Sequence, residues 1–219
     1  MKKKLSLILI FLLSSVLISY SIYAYSNINN VGRVVVKARS VFIERNGKSS
    51  LVSGFGAFLA LGDKIKTGPT GKALVTLKNG DTIFLSHNSE LVPETPKNSQ
   101  GFSNQVLRIL GKIRAKIQKT KTRNVRFATP NAVIGIKGTD FVVEYKKEQT
   151  SVATVEGLVN LASPSSGGNI DIPPGKMSTI SAAGEVMPLR EIAGDIMSDV
   201  ESAGAQLKAN ESAGEKVTF

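Results

Sequence analysis

Short runs of β-branched and aromatic residues recur about every 8–12 positions through most of this chain, with turn-forming residues between them. Val34-Val35-Val36 and Val41-Phe42-Ile43 open the series. Residues 73–77 (ALVTL) and 82–85 (TIFL) flank Lys78-Asn79-Gly80-Asp81. Asn-Gly between two such runs predicts a hairpin, with a type I′ turn because both residues tolerate positive φ. Gly62-Asp63 and residues 68–71 (GPTG) are further turns. Residues 141–145, 151–155, 158–161 and 177–180 continue the series, separated by Glu156-Gly157 and by residues 173–176 (PPGK). Such a chain has to bury its apolar faces sheet against sheet, so the expected fold is all-β.

Two segments depart from that rhythm. Residues 105–118 fit two periods at once. Val106, Leu110, Ile113 and Ile117 make a helical stripe. Ile113, Ala115 and Ile117 also alternate with Lys112, Arg114 and Lys116, as in a strand with one cationic face. Gly111 would cost a helix about 1 kcal/mol relative to Ala. Beyond Pro188 the period changes more clearly. Leu189, Ile192, Ala193, Ile196, Met197 and Val200 recur at helical spacing, while Glu191, Asp195 and Asp199 fall on other faces. Residues 188–219 therefore read as a short amphipathic helix with an acidic face, stopped near Gly204, and a tail rich in Ala, Ser, Glu and Gly.

The N-terminus reads as an address. Lys2, Lys3 and Lys4 precede an apolar run over residues 5–18, and Ala24 offers a small residue for cleavage. Residues 1–24 are then a signal peptide, or an uncleaved anchor of about 20 residues. Either places the rest of the chain in the periplasm or on the outer side of the cell envelope. The 219 residues include no Cys and one His, His87. That composition excludes thiol catalysis, disulfides, Cys-ligated zinc and multi-histidine metal sites.

The strongest temptation to read catalysis is Gly135-Ile136-Lys137-Gly138-Thr139-Asp140. A phosphate-binding loop needs a further Gly upstream and a helix downstream. Here strand formers follow, so no helix N-terminus converges on an anion. The structural reading is that Gly135 and Gly138 let the backbone turn or approach another strand closely. Phe127, Val133, Ile134, Ile136, Phe141 and Val143 then supply buried surface. His87-Asn88-Ser89 is expected to be a turn, and Asp63, Asp81 and Asp140 are expected to bond locally to backbone. No catalytic residue, metal or cofactor is assigned.

The formal charge is +11, and residues 105–126 hold eight cations and no anion. This stretch reads as a solvated strand face, as a dock for an acidic partner or the acidic tail, or as a contact for an anionic envelope polymer. Lys112, Arg114, Lys116, Lys119, Lys121 and Arg123 are the candidate contact residues. Nucleic acid is not expected, because aromatic residues do not interleave there and the address leads out of the cytoplasm.

Three ordered segments resemble the FecR domain family. The first is residues 59–92, with Gly62-Asp63, Thr67-Gly68, Gly71-Lys72-Ala73, a Gly80-containing hairpin and Asn88-Ser89-Glu90-Leu91. The second is residues 125–145, similar to that family's Thr-Pro-x-Ala-Val-x-Gly-x-Arg-Gly-Thr-x-Phe signature. Thr129, Pro130, Gly135, Gly138, Thr139 and Phe141 carry the match, and Lys137 stands where the family usually has Arg. The third is TVEGLVNL followed by IPPGKMSTI.

The resemblance implies a coiled, solenoid-like or sandwich-like stack of short strands over residues 31–187. It also implies that residues 111–118 are strand. Two functions follow as expectations. One is an exported, non-enzymatic binding or scaffold module that contacts an envelope protein or anionic polymer through its basic surface. The other is a periplasmic signal-transduction component, related to the ferric-citrate regulator, relaying from an outer-membrane receptor. Only four residues precede the apolar run, so no cytoplasmic anti-sigma segment is expected.

Overall fold

The computed structural model describes residues 12–17, 19, 30–94, 104–119, 124–194, 196 and 205. Residues 12–17 and 19 are helical, and among the described residues no helix is long and apolar enough to cross a membrane. Seventeen strands follow among the described residues. The first eight are β1 (Asn30–Ala38), β2 (Val41–Arg45), β3 (Lys48–Leu51), β4 (Ala57–Ala60), β5 (Lys64–Thr67), β6 (Lys72–Leu77), β7 (Thr82–Leu85) and β8 (Glu90–Glu94). A long β9 (Asn104–Lys116) stands in the middle. The rest are β10 (Asn124–Ala128), β11 (Val133–Ile136), β12 (Asp140–Lys146), β13 (Gln149–Glu156), β14 (Val159–Ala162), β15 (Asn169–Ile172), β16 (Lys176–Ile180) and β17 (Arg190–Glu191).

The strands form two layers that share β9. The first layer runs β4-β1-β6-β7-β9-β12-β13-β16-β17. The second runs β3-β2-β5-β8-β9-β10-β11-β14-β15. All neighbours are antiparallel except β9 and β10. The fold is all-β, one continuous hydrogen-bonded sheet doubled over on itself with open edges.

The doubling happens within β9. Its first half sits between β8 and β10, with Ile109 opposite Leu91 and Leu107 opposite Phe127. Its second half sits between β7 and β12, with Ile113 opposite Leu85 and Val143. Gly111 marks the change, at φ 79°. A Cβ there would stand 2.5 Å from the Asn88 carbonyl oxygen and 2.7 Å from Ser89 Oγ. Only glycine meets both conditions, which is why the residue that weakens a helical reading is the one this strand needs.

The core lies between the layers. Val34, Val75, Ile83, Ile113 and Val143 from the first layer meet Ile65, Leu91, Phe127, Ile134 and Leu161 from the second in one buried cluster. Phe127 and Phe141 bridge the layers edge to face, with centroids 5.1 Å apart. Such a pair adds about 0.5–1.5 kcal/mol beyond its area burial.

Some local expectations are corrected. The β6–β7 hairpin forms, but only Gly80 of its Asn-Gly pair takes a positive φ, 83°. Leu77 N donates to the Asp81 oxygen and Gly80 N to the Leu77 oxygen, so the turn has three residues and ends in a glycine bulge. Two-residue turns with both φ positive lie instead at Asn46 (51°) and Gly47 (75°), between β2 and β3, and at Lys147 (49°) and Glu148 (59°), between β12 and β13. At the C-terminal end no helix begins at Pro188, because Arg190–Glu191 pair as a strand with Lys176 and Met177. Leu189, Ile192 and Ala193, expected on the helical stripe, are not helical; Gly194, Ile196 and Ala205 are, and residues 195 and 197–204 lie outside those described.

Candidate functional site

Four of the six candidate basic residues are described, and they fall in different settings. Lys112, Arg114 and Lys116 alternate on β9 with buried Ile113 and Ala115, so they point away from the core. Lys112 Nζ lies 3.4 Å from Glu144 Oε1 on β12. Arg114 donates Nε to Asp140 Oδ1 at 2.8 Å and Nη2 to Oδ2 at 2.7 Å. The cationic face of β9 is thus matched by carboxylates of the adjacent strand. Lys119 is exposed beyond the strand. Lys121 and Arg123 lie outside the described residues.

The signature residues have structural work. Residues 135–140 leave β11, turn at Lys137 and Gly138, and enter β12, with no helix in the stretch. Gly138 has φ 67°, and a Cβ there would stand 2.5 Å from Lys119 Cβ. Gly135 differs. It sits within β11, and a Cβ would meet nothing closer than Asn160 Cβ at 3.8 Å. Thr139 is buried, and its hydroxyl has no partner among the described residues.

Thr129 Oγ1 lies 2.6 Å from Thr150 Oγ1, and Thr150 Oγ1 donates to Asn131 Oδ1 at 2.5 Å. Asn131 Nδ2 donates to the Glu148 and Ser181 oxygens at 2.9 and 3.1 Å. The Thr129-Pro130-Asn131 turn of the second layer is thereby tied to the β12–β13 turn of the first.

The groups considered for chemistry are bonded within the fold. Ser89 Oγ lies 3.0 and 2.9 Å from the His87 and Lys112 oxygens, either of which can take its one proton, and accepts from Lys112 N, joining the start of β8 to the middle of β9. Asp63 accepts Ala60 N at 2.7 Å, as its turn position predicts. It also takes two bonds from Arg45, Nε at 2.8 Å and Nη2 at 2.6 Å. The hydrogen bond to Asp63 raises the Arg45 pKa above its ordinary value, against desolvation. Asp81 is buried and accepts Gln118 N at 3.0 Å.

A surface that sequence reasoning missed lies at one open edge. β3 ends the second layer and β4 the first. Leu51, Phe55 and Phe58 on this edge are 66%, 90% and 56% exposed. Arg33 Nη2 donates to the Phe55 oxygen at 2.7 Å and Arg45 Nη2 to the Phe58 oxygen at 3.1 Å. Two cations therefore hold the backbone while the apolar side chains face outward. Between the two edge strands is a cleft of about 390 Å³, lined by Ile43, Arg45, Leu51, Val52, Gly56 and Phe58 among others. The signal was present as Phe55 between Gly54 and Gly56, an apolar residue where a loop would ordinarily be polar, with Phe58 close behind.

Residues 63–160 match the model of the FecR protein family. No curated protein matches the chain. Two crystal structures of a protein from Parabacteroides distasonis, provisionally described as an anti-sigma factor, share the fold at TM-score 0.51 and 17% identity. The likeness covers 58% of this chain and 59% of theirs. The exposed edge at Leu51, Phe55 and Phe58 precedes the matched family segment.

Proposed function

We propose that this chain is an exported, non-enzymatic signal-transduction module of the cell envelope. It works by binding a protein partner along the β3–β4 edge. The FecR family match and the anti-sigma-factor-like fold support the regulatory reading. The observation that carries it is the edge itself. All four residues of β3 are exposed, and among the described residues the strand is paired on one side only. An unpaired strand edge presents backbone donors and acceptors to any extended chain. Exposed Leu51, Phe55 and Phe58 add apolar anchors beside the cleft. Together these fit addition of a strand from a partner protein, in which backbone bonds give affinity and side-chain pockets give specificity. Outer-membrane receptors that relay signals, or the inner-membrane proteins they address, are the partner class.

A second reading keeps the basic surface as the contact for an anionic partner. Exposed Lys119 favours it. Binding assays on the purified chain separate the two. Under the edge reading Phe55→Ser with Phe58→Ser abolishes capture of the partner and Lys119→Glu leaves it intact. The reverse pattern would transfer the function to the basic surface.

A further inference from the structure

In the β2–β3 pair, Arg45 stands opposite Lys48 and Ile43 opposite Ser50. Residues opposed across two strands share a face of the sheet, and so do residues two apart along one strand. Arg45, Lys48, Ile43 and Ser50 therefore share one face, the side on which Ile43 is buried. The edge cleft opens on that side, with Ile43, Arg45, Ser50, Val52 and Ala57 among its lining. A strand added to β3 would extend this face outward. Along β3 the face changes from cationic at Lys48 to small and apolar at Ser50 and Val52.

The carboxylates of this region are engaged elsewhere. Asp63 is 2% exposed and accepts two bonds from Arg45 and one from Ala60 N. Glu44 alternates to the other face of β2 and pairs with Lys64 and Lys66. Lys48 is exposed, and among the described residues no carboxylate pairs with it. Arg33, which holds the Phe55 oxygen, has no carboxylate partner among them either. The edge is thus cationic beside an apolar cleft.

We infer that the partner segment added to β3 places a carboxylate opposite Lys48 and an apolar side chain two residues away, opposite Ser50 and in the cleft. This rests on strand addition at the β3–β4 edge and names the chemistry of the segment that adds. Antiparallel pairing is the more stable mode, and in it the segment reads apolar-x-acidic. The carboxylate gains a charge-assisted hydrogen bond from Lys48, and the apolar side chain meets Ile43, Val52 and Ala57. A lysine on an exposed edge ordinarily repels added strands. Beside this cleft it selects the strand that brings an anion.

The test titrates the purified full chain into fluorescein-labelled peptides and reads anisotropy. One peptide is Ser-Val-Thr-Leu-Thr-Glu-Thr-Ser, and a second has Lys in place of its Glu. The Glu form should bind about tenfold more tightly, and Lys48→Glu should reverse the order. Lys48→Ala should weaken the Glu form and strengthen the Lys form. Equal affinities for the two forms, both lowered by Phe55→Ser with Phe58→Ser, would overturn the acidic pattern and leave strand addition at this edge standing. A rise in both affinities alike on Lys48→Ala would make Lys48 a guard only, and would also overturn the pattern. Binding of neither form, or binding indifferent to the Phe55 and Phe58 changes, would remove the edge reading and the pattern together.

Discussion

Arg114 and Asp140 form a two-pronged ion pair between neighbouring strands, at 2.8 and 2.7 Å, with side chains 11% and 10% exposed. The pair joins β9, the strand both layers share, to the first residue of β12. It also fixes the exit of the Gly138 turn. Removing the carboxylate leaves a largely desolvated guanidinium, so Asp140→Asn should destabilise by about 3 kcal/mol. Arg114→Lys keeps the charge but loses the fork, and should cost about 1.5 kcal/mol. Urea unfolding midpoints check both. If the two variants match wild type, the pair contributes no more than an exposed one.

Gly138 and Lys137 are adjacent but unlike. Gly138→Val places a β-branched residue at φ 67° and drives its Cβ toward Lys119. A loss of about 2 kcal/mol or more is expected, a drop of several degrees in melting temperature for a chain of this size. Lys137→Ala is exposed and should change the melting temperature by less than about 2 °C. Gly135→Ala should resemble Lys137→Ala, since its site has room for a methyl group.

Gly111→Ala tests the doubling of the sheet. The substitution opposes a positive φ and meets the Asn88 oxygen and Ser89 Oγ. A loss of about 2 kcal/mol is expected, with slower amide exchange lost first around β8 and the middle of β9. Uniform loosening across all strands would mean that the switch is not a local feature.

The Thr129-Pro130-Asn131 clamp should be cooperative. Thr150→Val and Asn131→Ala each break bonds that tie the layers together. Each should cost about 1–2 kcal/mol and the double variant less than the sum, because both act in one network. Thermal denaturation of the three variants measures the coupling.

The all-β class was legible because β-branched runs such as residues 73–77 and 151–155 carry their own turn signals. β14 begins at Val159, one residue later than its run. The strands that sequence reading passed over, β3, β4 and β15 among them, are short and polar or lie at edges, where cross-strand pairing supplies what propensity does not. Residues 105–118 stayed ambiguous because the apolar positions fit both periods; the glycine's role at the layer switch depends on contacts with Asn88 and Ser89, over twenty residues away. The basic run was legible as charge, but its partners Glu144 and Asp140 become neighbours only through the β9–β12 register. Asp63 illustrates the same limit. Its bond to Ala60 N follows from the local turn, whereas its two bonds from Arg45 require β2 to reach the β4–β5 corner.

The measurement that bears most directly on the proposed function is photocrosslinking from position 55 in intact cells. A benzophenone amino acid replaces Phe55 in the full chain, and adducts are identified by mass spectrometry. The account predicts one discrete envelope-protein adduct that disappears when Leu51→Lys is added and is absent when the probe is moved to exposed Gly167, away from this edge. No adduct at position 55, or the same adducts from both positions, would contradict it.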